Sequence, residues 1–179
     1  MTIFWCCDSD AAYPLNSEVY LGRQPGAASE TKDKNRIYNL VKRVVHAWIN
    51  TGRTITTDNY FTNAELAEDL LGVQTTLVGT VRRSKKKIPR ESQPDAHRSE
   101  LSSIFCFDRQ LTLVSYVPEK SHAVILFSSL HHNQAIVDEE KKKPEIILYY
   151  STIIPKVESI EWFTWFKHIL ANGKENAGQ

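Results

Sequence analysis

Two aspartates offer the most chemistry in this sequence. Asp8 ends the compact apolar run Thr2–Asp8, "TIFWCCD", and Asp58 follows the β-branched run Thr54–Thr57 in "TITTDNYFTN". Carboxylates at the ends of neighbouring strands would converge, which is costly for bare charges and natural around a divalent cation. Magnesium takes hard oxygen ligands and keeps several waters, so two or three carboxylates with a substrate phosphate complete its shell. In two-metal phosphoryl transfer one ion activates a water or 3'-hydroxyl and the other stabilises the leaving oxygen. An aspartate between a strand and a helix is also a common turn or capping residue, and spacing alone favours that role.

The remaining candidates carry double readings too. Arg82, Arg83, Lys85, Lys86, Lys87 and Arg90 form a basic run. Beside a phosphoryl-transfer site it would neutralise DNA phosphates and release counterions, while as a bare charge run it is a solvated loop or a localisation signal. His131 and His132 are adjacent, so their rings project in different directions; with no third ligand nearby they read as a surface or turn pair. Cys6, Cys7 and Cys106 match neither a zinc spacing nor a secreted disulfide framework, and are expected to be reduced, partly buried thiols without a nucleophilic role. The aromatic tail Trp162–Phe166 reads as core or contact surface.

These residues need a scaffold, and 179 residues suffice for one domain with a proper core. Twenty-two Lys and Arg face 21 Asp and Glu, so net charge points to no partner and local distribution must decide. The N-terminus lacks a signal-peptide pattern and no apolar run approaches a membrane span, so an intracellular, non-secreted chain is expected. Strands are expected at Thr2–Asp8, in "SEVYLGR", at Thr54–Thr57, in "TTLVGTV", and in "SIFCFD", "LTLVSYV", "AVILFSS" and "PEIILYYS". Ile37, Leu40, Val41, Val44, Val45, Trp48 and Ile49 recur at helical spacing over Arg36–Asn50. Thr62 with Glu65 reads as a capping box opening a helix that ends at Gly72, and the tail from Lys156 reads as a helix apolar on most of its circumference. This order argues for a mixed α/β sheet carrying a β-rich insertion: a core over residues 1–81, a basic loop and β-rich insertion over 82–143, and a final strand with a C-terminal helix over 144–179.

Together the blocks "CDSDAAY", "VYLGR", "GRTITTDNYFTNAELAEDLL", "TTLVGTVRRSKKKIP", "FCFDRQLTLVSYVPEKSHAVILFSS" and "KKPEIILYYS" resemble the catalytic domain of piggyBac-type DNA transposases from about Cys7 to Ser151. The resemblance implies an RNase H-like mixed sheet flanked by helices, with a β-rich insertion before the last acidic residue. It also implies cut-and-paste transposition, with magnesium- or manganese-dependent DNA strand cleavage and transfer at TTAA sites, in the nucleus, by a protein that is a homodimer at full length. Asp8 and Asp58 match the family's first two catalytic aspartates. For the third, "YYSTIIPKVESIEWF" offers Glu158, with Glu161 the poorer match. Pro155 and Lys156 replace glycines that precede the acid in the family. The longer side chain shifts a carboxylate by about one bond length, and catalysis is sensitive to displacements of roughly an ångström. No zinc is expected in this chain. The likeness fades beyond Glu161, so the chain is expected to be a truncated, degenerate or domesticated catalytic-domain fragment, and a catalytically inactive module binding DNA or protein is the alternative.

Overall fold

The computed structural model describes residues 2–11, 13–20, 36–82, 88–93, 95, 97–158 and 167–174. Its elements run β1 (Thr2–Asp8), β2 (Tyr13–Tyr20), α1 (Arg36–Val45) with a 3-10 turn (His46–Trp48), β3 (Arg53–Thr57), α2 (Ala64–Gly72), β4 (Thr76–Thr80), a 3-10 turn (Arg90–Ser92), β5 (Ser103–Asp108), β6 (Leu111–Glu119), β7 (His122–Ser128), β8 (Ile136–Asp138), β9 (Lys143–Pro144), α3 (Glu145–Glu158) and β10 (Lys167–Lys174). The strands form one eight-stranded mixed sheet, ordered β2-β1-β10-β3-β4-β7-β6-β5, and the small β8-β9 pair.

Alternation along the strands explains why helices cover both faces. Cys6 and Leu77 join Phe4, Ile55, the buried stripe Leu40, Val41, Val44 and Val45 of α1, and Leu66, Ala67 and Leu70 of α2 in one cluster. Their chain neighbours pack elsewhere: Val78 lies with Val114, Leu126, Ile146 and Ile147, and Cys7 with Ile153. The sheet is therefore sandwiched, with α1 and α2 on one face and α3 on the other. Burying each of these aliphatic side chains contributes roughly 1.5–3 kcal/mol. Outside the core, Arg43 of α1 forks onto Glu18 of β2 at 2.7 and 2.9 Å, and Lys42 reaches Asp69 of α2 at 3.2 Å. Both pairs are exposed, so they orient the helices more than they stabilise them.

Three expectations need correction. "PEIILYYS" is not a strand beyond Pro144: α3 covers it from Glu145, because Ile146, Ile147, Tyr149, Tyr150 and Ile153 recur at helical spacing and pack on the second face of the sheet. The end of the chain is not helical over Lys167–Lys174, where β10 pairs with β1 on one side and β3 on the other; residues 159–166 lie outside the described residues. Thr62 does not cap α2. Asn63 does, its side-chain oxygen accepting from Glu65 N at 3.0 Å, which frees the Thr62 hydroxyl for the turn before it.

Candidate nucleic-acid interface and the acidic positions

β1 delivers Asp8 to the mouth of a hairpin. Behind it Cys6 and Cys7 are fully buried, and burial pushes their thiols up to about 12 and about 11, with Cys7 and Asp8 adding to the shift at Cys6. Such thiols stay protonated and inert, as the sequence suggested. Asp8 itself is half-buried, and its Oδ1 accepts backbone N–H bonds from Asp10 at 2.9 Å and Ala11 at 2.8 Å. This is an Asx turn, the conformation that lets an aspartate reverse the chain into β2.

Asp58 makes a second turn with more support. Its Oδ1 accepts from Tyr60 N at 2.8 Å, and its carbonyl oxygen accepts from Phe61 N, Thr62 N and the Thr62 hydroxyl, the last at 2.8 Å. The Thr62 hydroxyl also meets the Thr57 hydroxyl at 2.9 Å, and both threonines are buried. Directly across from Thr57 in the parallel β3–β4 pair stands Gly79. A Cβ there would overlap Thr62 Oγ1 and come within 2.7 Å of the Thr57 carbonyl oxygen. Glycine weakens a strand interior, and here it is required by close approach. The glycine inside "TTLVGTV" is the one sequence signal for this packing, and strand pattern alone gives it no role.

The sheet does not bring the two aspartates together. β10 lies between β1 and β3, parallel to the first and antiparallel to the second. The strands bearing the acids are therefore neither neighbours nor co-directional. Asp8 is level with Ala171 and Ile55, whereas Asp58 lies three residues past Ile55. Two strand spacings plus that offset separate their backbones by roughly 14 Å, beyond what one cation bridges. Glu158 closes α3 and Glu161 follows it; the side chain of the first and the whole of the second lie outside the described residues. Among the described residues no group of three or more His, Cys, Asp or Glu side chains is arranged to hold a metal ion. In this arrangement Asp8 and Asp58 do not share one magnesium ion, and the side chains of Glu158 and Glu161 lie outside the described residues.

One cation of the basic run is seen at the Asp58 end. Arg82, exposed just beyond β4, donates Nε to Asn59 Oδ1 at 3.0 Å and lies 6.0 Å from the centre of the Tyr60 ring. Arg90 is exposed at the start of its 3-10 turn, while Arg83, Lys85, Lys86 and Lys87 lie outside the described residues. A 640 Å3 cavity nearby, between the first turn of α2 and strands β5 to β7, has Glu65, Glu68 and Asp108 as its charged lining, the wrong sign for phosphate. His131 is buried, not at the surface: its Nδ1 meets the Ser128 hydroxyl at 2.9 Å and its ring stands edge-on to Tyr149. Burial and the neighbouring His132 lower its pKa to about 4, so it is neutral and structural.

The sequence profile of the family described as Transposase IS4 matches residues 1–167. The chain belongs to that transposase family. It is also similar to a solved structure described as a piggyBac transposase synaptic complex with hairpin DNA, at 31% identity and a TM-score of 0.76, over 95% of this chain and 35% of that one. No curated protein matches. The transposase-family domain described here thus has the mixed α/β architecture of a piggyBac-type catalytic region, and it spans about a third of the solved chain's length. No helix among the described residues is long and apolar enough to cross a membrane.

Proposed function

We propose that this piggyBac-like transposase domain holds DNA by its phosphates through Arg82, Arg83, Lys85, Lys86, Lys87 and Arg90, and that in the arrangement described it does not cut the strand. The observation that carries the reading is Arg82, the first cation of the run, fixed against Asn59 and Tyr60 in a chain whose solved relative was captured with hairpin DNA. Lysines and arginines on phosphates release counterions, which gives sequence-independent affinity that falls steeply with salt. Nuclear action is part of the same proposal, inferred from the piggyBac likeness.

The reading is tested by titrating a fluorescent duplex with the chain from low to physiological salt. Affinity that falls linearly with the logarithm of salt, and survives Asp8→Asn with Asp58→Asn, supports it; salt-independent binding refutes it.

A second reading, metal-dependent cleavage and strand transfer at TTAA, draws support from both aspartates standing at strand ends within the family match. It needs Asp8, Asp58 and Glu158, or less favourably Glu161, to share magnesium or manganese. β1 and β3 would have to be paired differently for that. Nicking of TTAA-containing duplex in manganese, lost on Asp58→Asn, would establish it.

A further inference from the structure

The Asp58 turn links the core of the sheet to an arginine at its surface. Three contacts run in series from the core to the surface. Gly79 leaves room for the Thr57 and Thr62 hydroxyls to meet. Thr62 in turn holds the Asp58 carbonyl oxygen, while Asp58 Oδ1 holds the Tyr60 amide. The turn so fixed presents Asn59 and Tyr60, and these receive Arg82 by a hydrogen bond and a cation–π approach. β3 and β4 are parallel, so the turn after one strand and the arginine after the other emerge at the same end of the sheet.

We propose that Gly79, Thr57, Thr62 and Asp58 are positioning residues for Arg82, and that they set where the first cation of the basic run meets a DNA phosphate. An arginine on a flexible stem loses rotamer freedom when it binds, and one already held by its neighbours loses less. On this account Asp58 contributes Oδ1 as an acceptor to the turn. The substitution Asp58→Asn keeps an Oδ1 for the Tyr60 amide, whereas Asp58→Ala releases the turn.

The inference about DNA contact rests on the DNA-holding reading above, so two readouts are kept apart. The first is NMR of the 179-residue chain without DNA. The Arg82 Nε–H signal should exchange slowly in the parent and in Thr62→Ser and Asp58→Asn, and quickly in Thr62→Val, Gly79→Ala and Asp58→Ala. The isosteric Thr62→Val serves if Gly79→Ala folds poorly. The second is the salt dependence of binding to a mixed-sequence duplex. Arg82→Ala should reduce the slope by about one, Thr62→Val should reduce it similarly, and the pair together should lose no more than Arg82→Ala alone. Thr62→Ser should restore the parent slope, which a merely structural effect on stability would not do selectively. Equal Arg82 exchange in the parent and Thr62→Val overturns the positioning role whether or not DNA binds. A parent slope near zero, with the exchange pattern as expected, refutes the DNA-holding reading and leaves the positioning of Arg82 standing.

Discussion

The turns at Asp8 and Asp58 look alike in sequence and are built differently. Both follow a strand, and both aspartates accept backbone N–H bonds through Oδ1. At Asp8 the bonds are local, to residues two and three positions on, and the hairpin tip is exposed at Asp10 and Ala11. At Asp58 the turn is anchored through buried threonines to a glycine on the next strand, and it carries an arginine from beyond that strand. A residue type at a strand end therefore says little about its task. What distinguishes the two turns is the non-local packing beneath them.

The contrast breaks most visibly at Gly79. Adding one methyl by Gly79→Ala forces atoms into a well-packed site and should cost about 3 kcal/mol in urea unfolding; a loss below that of Asp8→Ala would mean the Asp58 turn is not anchored as described. A pH titration probes a buried group that belongs to neither turn. His131 has a depressed folded pKa of about 4 against an ordinary 6.5. Above pH 6.5 both folded and unfolded states are neutral there; between 6.5 and 4 only the unfolded state takes up the proton, so stability falls as pH drops, by about 3 kcal/mol in all. His131→Gln should flatten that segment of the stability–pH curve and leave Arg82 exchange unaltered.

Smaller effects sharpen the comparison. Thr62→Val leaves the buried Thr57 hydroxyl without its partner and should cost about 1.5 kcal/mol. Asp8→Ala, which loses only exposed local bonds, should cost about 1 kcal/mol or less. Asp8→Asn and Asp58→Asn keep the accepting oxygen, and thermal unfolding should place both within about 0.5 kcal/mol of the parent.

Much of this fold could be read from local pattern. β1, β3, β4 and β5 to β7 are short apolar runs bounded by turn residues, and α1 shows its buried stripe at Leu40, Val41, Val44 and Val45. The failures occur where distant partners decide. The β-branched and aromatic run of α3 has strand propensity, and becomes a helix because its 3- and 4-residue spacing finds the open face of the sheet. β10 is set by pairing with β1 and β3, more than 100 residues earlier in the chain, and local periodicity carries no trace of such contacts. The same limit applies to the site. Asp8, Asp58, Arg82 and Arg90 stand out as candidates by residue type, the first three also within the family blocks, whereas the separation of the aspartates follows from strand order. Gly79, Thr57 and Thr62 gain meaning only from the pairing of β3 with β4.

We infer that this domain grips DNA without a metal centre joining Asp8 and Asp58. This is tested most directly by binding and nicking assays on a TTAA-containing duplex, with and without manganese, for the parent chain and the combined Asp8→Asn, Asp58→Asn variant. The account predicts salt-dependent binding that is the same for both proteins and indifferent to manganese, with the duplex intact. Manganese-dependent nicking by the parent that disappears in the variant would contradict it.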